Sequence, residues 1–407
     1  MPVEPILDRF VRYVQVPSQS DAASDSVPSS PSEWEMARLL ESELQELGLA
    51  EVHVSEFACV TAKLPATNST AARRPAIGFV THFDTADAGL SPYVNPQIVR
   101  SYDGGVIALG ESAVLDPAQY PALARYVGQD IVTTDGTSVL GADDKAGVAA
   151  VMDSLAQVVQ SEAEHGEVYV AFVPDEEIGL LGAKHLDLQR FTPAYAFTVD
   201  GGELGELVYE TFNAARASID IEGVAAHPID AKGVMVNPVL VATDFIAMFD
   251  RLQTPENTDG RDGYHWIQEM HATPARAQLI VNIRDHDRER FEWRKEYVQR
   301  AVALLAERYP RADIACTIHD EYGNIHDALT EENKVAVEQL KAAFAAVGIT
   351  PITAPTRGGT DGSYLSAQGL FTPNFFAGGH NFHSKYEFLP VPSLEKAAAV
   401  VRTLIMG

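Results

Sequence analysis

VYVAFVPDEEIG, residues Val168 to Gly179, is an apolar run that ends in three consecutive acids. A short apolar run bounded by turn residues is typical of a strand that is buried on both faces of a sheet. Adjacent carboxylates at the end of such a strand repel one another unless a cation compensates them. The stretch therefore predicts a buried strand with a metal site at its end, where one of Glu176 and Glu177 could bind metal and the other could accept a proton from bound water. A solvated acidic turn is the alternative.

Two more apolar strands accompany this one, at Ala76 to Thr81 and at Ala194 to Val199. The segment Ala146 to Gln160 has the apolar spacing of a helix, as does Trp34 to Leu47, which follows a Ser/Pro/Asp-rich stretch from Ser18 to Ser32. Strands that alternate with helices indicate an α/β sheet. We therefore expect a sheet with helices packed on it.

The middle of the chain has a different order of predicted strands and helices from the α/β part. This order predicts an inserted α+β module at residues 215–326. The catalytic domain would then be discontinuous, with a first part at 1–214 and a second part at 327–407. The insert is expected to contain three strands and two helices, at Ala217 to Gly223, Gln278 to Ile283, Asp313 to His319, Pro238 to Leu252 and Arg288 to Tyr309. The α/β pattern resumes with a helix at Glu331 to Ala346.

Composition excludes several classes of protein. The 57 acidic against 30 basic residues give a formal charge of -27, which disfavours binding to nucleic acid and to anionic lipid surfaces. Cys59 and Cys316 are the only cysteines, so a disulfide framework is absent. Met1 to Phe10 lacks the layout of a secretory signal, and no apolar stretch is long enough to span a membrane. These features predict a cytoplasmic protein.

His82 and Asp84 follow the strand Ala76 to Thr81 directly. Side chains two residues apart on an extended chain point the same way, so Asp84 could orient an imidazole that binds a metal. Ligands of α/β proteins also favour the ends of strands. A chance surface pair is the alternative for this short pattern.

Three further positions offer oxygen or nitrogen ligands. Asp143 lies beside Asp144 in Gly141-Ala-Asp-Asp-Lys-Ala-Gly147 at a helix start, where one of the two carboxylates could bridge two metal ions or the pair could simply cap the helix. Asp200 follows the strand Ala194 to Val199, and His383 lies in a glycine-rich loop. Taken singly, Asp200 is typical of a turn residue and His383 of an exposed loop histidine. The joint pattern favours a metal centre at one edge of the sheet.

The order of these motifs resembles that of the M20 metallopeptidases, and within them the tripeptide aminopeptidases. The resemblance extends from about residue 77 to residue 390, and it also includes Val94 to Val99, Thr133 to Gly136, His227, Ile283 to Asp285 and Arg357 to Gly362. It implies a zinc-peptidase-like mixed sheet flanked by helices, with an inserted two-layer lid and dimerisation domain. Short peptides would be the substrates, and a homodimer would form through the insert.

The resemblance also assigns roles to single residues. Asp143 would bridge two Zn²⁺ ions per chain, or Co²⁺ or Mn²⁺ in their place, and a metal-bridging hydroxide would attack the peptide bond. The other roles, all implied by the family, are His82 and Asp200 as ligands of one ion, Glu177 and His383 as ligands of the other, Glu176 as general base, Asp84 as the group that orients His82, His227 as oxyanion donor in its own or the partner subunit, and Arg284 and Arg357 as anchors for a substrate carboxylate.

Some positions depart from the family pattern. Ala86 to Gly89 replaces the usual Ser-Pro, His380 stands where an aromatic residue is usual, and His271 stands where related enzymes have Asn. The departures concern the pocket and therefore the preferred peptide length. The nearest alternative keeps the metals but changes the substrate, to N-acyl amino acids or dipeptides. A non-catalytic metal-binding module would lack Glu176 or Asp84, and a nucleotide-binding α/β protein would need a glycine fingerprint that is absent.

Overall fold

A computed structural model describes residues 3–111 and 113–407, and Met1, Pro2 and Ser112 lie outside this description. The helices are, in chain order, Ile6–Val14 (α1), Glu33–Glu46 (α2), Ala142–Ser161 (α3), Leu181–Lys184 (α4), Pro238–Ile246 (α5), Arg288–Arg308 (α6), Val335–Ala346 (α7), Asp361–Ala367 (α8) and Val391–Met406 (α9). The strands are Ala50–Val54 (β1), Val60–Leu64 (β2), Ile77–His82 (β3), Pro96–Val99 (β4), Ile107–Leu109 (β5), Ala113–Leu115 (β6), Ile131–Thr134 (β7), Val168–Val173 (β8), Tyr195–Gly201 (β9), Glu206–Val208 (β10), Asn213–Glu222 (β11), Tyr264–Ala272 (β12), Arg276–Asp285 (β13), Asp313–Tyr322 (β14), Ile352–Thr353 (β15), Asn374–Phe376 (β16) and Leu389–Pro390 (β17).

The chain divides into two compact units. The first consists of Met1–Tyr209, Leu329–Ala354 and Thr360–Gly407, and the second of Glu210–Ala328 and Pro355–Gly359. None of the helices in the described part of the chain is both long enough and apolar enough to cross a membrane.

The first unit is built on an eight-stranded mixed sheet in the order β1-β2-β8-β3-β9-β16-β10-β15. Its central strands β8, β3 and β9 run parallel, and His82 at the end of β3 is paired with Val173 at the end of β8. Every residue of β3 and β8 is buried, as their apolar sequences require. The predicted mixed sheet flanked by helices is therefore confirmed.

Helix α3 packs on β3 and β9 and is itself covered by α1 and α9. Gly147 permits this packing, because a Cβ atom at this position would lie only 2.1 Å from the carbonyl oxygen of Val199 in β9. Helix α8 also contacts β3 and β9, and α4 contacts α8. The close approach of α3 brings its first turn next to the ends of the parallel strands.

The second unit is a four-stranded antiparallel sheet, in the order β12-β13-β11-β14, on which α5 and α6 pack. Its core consists of alternate residues of the strands, such as Ala217, Ile219 and Val281, together with Phe245 of α5 and Phe291 of α6. This is the two-layer α+β arrangement that the sequence predicts for the insert. Two small sheets, β17-β7-β4 and the hairpin β5-β6, belong to the first unit.

Some predicted elements differ from the structure. Helix α5 ends at Ile246 and not at Leu252, whose side chain is 71% exposed and so adds nothing to a buried face. The apolar pair Val139 and Leu140 forms no strand, and the Leu140 N–H donates to the carboxylate of Glu387. Helix α1, by contrast, was not predicted.

Candidate metal centre

The acidic and imidazole side chains of the sequence motifs meet at the carboxyl ends of adjacent parallel strands. His82 is the last residue of β3, Glu177 follows β8 in the next turn, and Asp200 lies near the end of β9. Asp143 lies in the first turn of α3, and His383 lies in the loop between β16 and β17. Because β8, β3 and β9 are neighbours in the sheet, these five side chains reach one edge.

Asp143 lies between two imidazoles. Its Oδ1 atom is 3.0 Å from Nε2 of His82, and its Oδ2 atom is 3.1 Å from Nε2 of His383. Each carboxylate oxygen therefore faces a different histidine. This is the arrangement that a carboxylate bridging two metal ions requires.

The remaining two carboxylates lie on opposite sides of this bridge. Nε2 of His383 is 3.0 Å from Oε1 of Glu177, and Nε2 of His82 is 3.8 Å from Oδ1 of Asp200. Ligand atoms of His82, Asp143 and Glu177 lie within 4.8 Å of one another, close enough to hold a metal ion. The side chains are largely buried except that of His383, which is 53% exposed and leaves the centre open to solvent on its side.

Asp84 connects the imidazole to the acidic turn. Its Oδ1 atom is 3.2 Å from Nδ1 of His82 and also accepts the backbone N–H of Glu176 at 2.9 Å. Its Oδ2 atom accepts the backbone N–H of Glu177 at 3.3 Å. The sequence predicted the contact with His82, whereas the two bonds to the turn after β8 depend on the pairing of β3 with β8.

The electrostatics of the cluster favour bound positive charge. Burial, together with neighbouring carboxylates, raises the pKa of Asp200 to about 6 and that of Glu177 to about 7. Burial alone would lower the pKa of His82, but hydrogen bonds with Asp143 and Asp200 raise it well above its usual value. Hydrogen bonds with Asp143 and Glu177 raise the pKa of His383 to about 10. The carboxylates therefore stabilise cations at the positions of the imidazoles.

The donor set fits divalent metal ions. Carboxylate oxygens and imidazole nitrogens are ligands that zinc, cobalt and manganese accept, and thiolate is absent from the centre. A buried carboxylate oxygen needs a hydrogen-bond donor or a cation. Oδ2 of Asp144 is buried and has no hydrogen-bond partner within the described residues, and Asp144 forms a second possible metal-binding group with His82 and Asp200.

The two adjacent acids of the Asp143-Asp144 pair have different surroundings. Asp143 faces the imidazoles, while Oδ1 of Asp144 accepts the backbone N–H of Gly147 at 3.1 Å and so caps α3. Capping and metal binding were alternatives for the motif. Asp144 makes a capping contact, whereas metal binding by Asp143 stays a prediction. Sequence alone could not tell the two residues apart, because both lie at the start of the same helix.

Sequence analysis did not single out Glu387, although the residue lies in the same motif as His383. Its carboxylate is fully buried and accepts the backbone N–H groups of Leu140, Gly141 and Asp143 at 2.8, 3.0 and 3.2 Å. These bonds hold the backbone of Asp143 and of the two residues Leu140 and Gly141 before it. An acid four residues after a candidate ligand histidine was the available signal.

Three of the predicted site residues belong to the second unit. His227 is exposed, and its Nδ1 atom accepts the backbone N–H of Ile229 at 3.3 Å. The guanidinium group of Arg284 binds Oε2 of Glu321 at 2.8 Å, and that of Arg357 binds the carbonyl oxygen of Asp262 at 2.9 Å. Both arginines are thus held by their own unit, and a substrate carboxylate would compete with these contacts.

Comparison with known proteins identifies the family of the chain. Residues 140–407 match the model of peptidase family M20/M25/M40, and residues 60–200 match that of peptidase family M28. A Peptidase T-like protein of Yersinia pestis is 48% identical over 405 residues, covering 99% of this chain and 98% of that protein. Peptidase T of Geobacillus thermodenitrificans is 44% identical over 403 residues, covering 98% and 97%. The crystal structure of aminopeptidase PepT from Bacillus cereus has a TM-score of 0.77 at 24% identity, covering 100% of this chain and 98% of that one. The chain therefore belongs to peptidase family M20/M25/M40.

Proposed function

We propose that the protein is a two-metal aminopeptidase that removes the N-terminal residue from short peptides, above all tripeptides. The observation that carries this proposal is the position of Asp143, whose two carboxylate oxygens face two different imidazoles at 3.0 and 3.1 Å. The similarity to proteins named peptidase T over nearly the whole chain supports the substrate class.

The proposed ligand assignment follows the contacts of the centre. Asp143 would be shared by the two ions, His82 and Asp200 would hold one of them, and Glu177 and His383 would hold the other. Zinc is the proposed metal, because it combines oxygen and imidazole ligands in open catalytic sites, and cobalt or manganese could replace it. When bound, two such ions supply an activated water at neutral pH and polarise the scissile carbonyl.

Glu176 is the proposed general base. It is outside both candidate ligand groups, yet its backbone is fixed beside the ligands by the bond of its N–H to Asp84. Burial, followed by the charges of Asp200 and Asp361, raises its pKa well above the usual value. A carboxylate with a raised pKa can take a proton from water and return it to the leaving amine.

The second unit carries the remaining proposals. We assign it the lid and dimerisation roles, with His227 as the oxyanion donor and Arg284 and Arg357 as anchors of the substrate carboxylate. Arg284 would serve as an anchor only if its ion pair with Glu321 opens. The cytoplasm is the proposed compartment, supported by the two cysteines, which are both free.

Cleavage of a matched peptide series tests the function. The protein, loaded with Zn²⁺, is incubated with di-, tri- and tetrapeptides of one composition, each with a free and with an acetylated amino terminus. Release of the first residue from the free tripeptide, faster than from the other lengths, is the expected result. Preferred cleavage of the acetylated compounds would instead support the alternative, an M20-type hydrolase of N-acyl amino acids, and preferred cleavage of the dipeptide would support a dipeptidase.

A further inference from the structure

The Ser/Pro/Asp-rich stretch Ser18 to Ser32 contacts the segment that carries His82 and Asp84. The Ser18 hydroxyl donates to the carbonyl oxygen of Phe83 at 2.5 Å, and the Thr85 N–H donates to the carbonyl oxygen of Ser18 at 3.1 Å. Ser18 itself is only 1% exposed. Serine side chains are mostly exposed, so the burial of Ser18, Ser20 and Ser29 within this stretch points to specific contacts.

Ser29 binds Asp175 at both carboxylate oxygens. Its backbone N–H donates to Oδ2 at 2.8 Å, and its hydroxyl donates to Oδ1. Asp175 is fully buried and Ser29 is 6% exposed, so water does not compete for these bonds. The proposed base and ligand, Glu176 and Glu177, follow Asp175 directly in the sequence.

The backbone of Asp175 has to be held in place. Its φ of 55° lies in the left-handed region, which is unfavourable for a residue with a side chain. The contacts around such a residue must supply the free energy that maintains it. Ser29 binds the side chain of Asp175 on one side, and Asp84 binds the N–H groups of Glu176 and Glu177 on the other.

Glu33 supports Ser29 from the first turn of α2. Its Oε1 atom accepts the backbone N–H of Ser30 at 2.9 Å and lies 3.2 Å from the Ser29 hydroxyl oxygen. The side chain is fully buried, and burial, followed by the charges of Asp84 and Asp175, raises its pKa to about 9. Glu33 is therefore uncharged near neutral pH, and it adds no negative charge beside Asp175.

We propose that Ser29, supported by Glu33, is a positioning residue that holds Asp175 so that Glu176 and Glu177 keep their places at the metal centre. This inference rests on the proposed function, because it takes Glu176 as base and Glu177 as ligand. It assigns a role to a loop that precedes all the ligands in the sequence. Ser29 acts only through Asp175.

The test compares Ser29→Ala, which removes the hydroxyl, with Ser29→Thr, which keeps it. Ser26→Ala is the matched control, because the exposed Ser26 lies in the same loop and its hydroxyl bonds to the carbonyl oxygen of Pro28. Two quantities are measured on each full-length variant: kcat and KM for a tripeptide, and the affinity for Co²⁺, followed by visible absorption without peptide. Thermal unfolding of each variant shows whether it is folded.

Loss of the Ser29 hydroxyl is expected to lower kcat by about tenfold or more, to leave KM within about twofold, and to weaken Co²⁺ binding about tenfold. Ser29→Thr is expected to recover most of the kcat and most of the Co²⁺ affinity. Ser26→Ala is expected to match the parent protein in both. Unchanged kcat and Co²⁺ affinity in Ser29→Ala would overturn the proposal, and so would a Thr variant as impaired as the Ala variant. A parent protein that cleaves no peptide would refute the proposed function alone, because Co²⁺ binding still tests Ser29.

A second pair of variants tests the support from Glu33. Glu33→Gln keeps the size and the neutral charge of the side chain, and it is expected to retain most of the kcat. Glu33→Ala leaves Ser29 without this neighbour and is expected to resemble Ser29→Ala. If Glu33→Ala kept the kcat and the Co²⁺ affinity of the parent protein, Glu33 would have no part in the positioning.

Discussion

His383 and Asp143 are 240 residues apart in the sequence, yet Nε2 of the histidine lies 3.1 Å from Oδ2 of the aspartate. The other oxygen of Asp143 faces His82, which precedes Asp143 by 61 residues in the chain. Asp143 is thus the one carboxylate of the centre that contacts both imidazoles. The assignment of two metal sites depends on this residue more than on any other.

Removal of the Asp143 carboxylate is expected to abolish binding of both ions. Asp143→Ala leaves each site with only two of the proposed protein ligands, so purified protein should contain well under one metal ion per chain. Elemental analysis measures the content, and circular dichroism verifies the fold. A variant that retains two ions per chain would show that Asp143 does not bridge them.

Replacement by Gln is expected to affect catalysis at Glu176 and metal binding at Glu177. Glu176→Gln removes a proton acceptor and is expected to lower kcat by roughly 10²–10⁴ while both metals stay bound. Glu177→Gln removes a ligand and is expected to lower the metal content. Metal analysis and tripeptide kinetics on both variants distinguish the roles, and normal turnover by Glu176→Gln would exclude it as the base.

Asp84 is expected to contribute to metal affinity without binding the metal. Asp84→Asn keeps the shape of the side chain but weakens its bonds to His82 and to the turn of Glu176, and should reduce Zn²⁺ affinity about 10- to 100-fold. Competition with a chelator measures the affinity. Asp87→Asn, an exposed position in the same segment, serves as the control. Equal affinities for the two variants would contradict the orienting role of Asp84.

His265 should make the stability of the second unit depend on pH. Burial, together with the nearby charge of Arg294, lowers its pKa to about 4 from an ordinary value of 6.5. Between these values the unfolded chain takes up a proton that the folded chain does not, so the folded state loses stability as the pH falls. The expected loss between pH 7 and pH 5 is about 2 kcal/mol.

Urea unfolding at pH 7 and at pH 5 measures this effect. His265→Gln has no imidazole, so its free energy of unfolding should fall less over this interval than that of the parent protein. His319→Gln, at an exposed position of the same sheet, should behave like the parent. The same pH dependence in the parent and in His265→Gln would contradict the prediction.

The sequence located the candidate ligands because the signals that place them in the fold are local. Apolar runs fix the strands that end near His82, Glu177 and Asp200, and parallel pairing brings the ends of such strands to one edge of a sheet. Helix ends were predicted less well, as at Ile246, because capping and exposure decide them after the apolar pattern has been set.

The sequence by itself thus determined the α/β class, the central strands, the helices at α2 and α3 and the residues that could bind metal, because hydrophobic period and residue chemistry are properties of short segments. Only the tertiary structure decided that Asp143 faces the imidazoles while Asp144 caps the helix, and that Ser29 holds Asp175 across 146 residues of chain. Arg284 likewise contacts Glu321 through strand packing. Such relationships depend on the direction of each side chain and on contacts between distant segments, which no local pattern encodes.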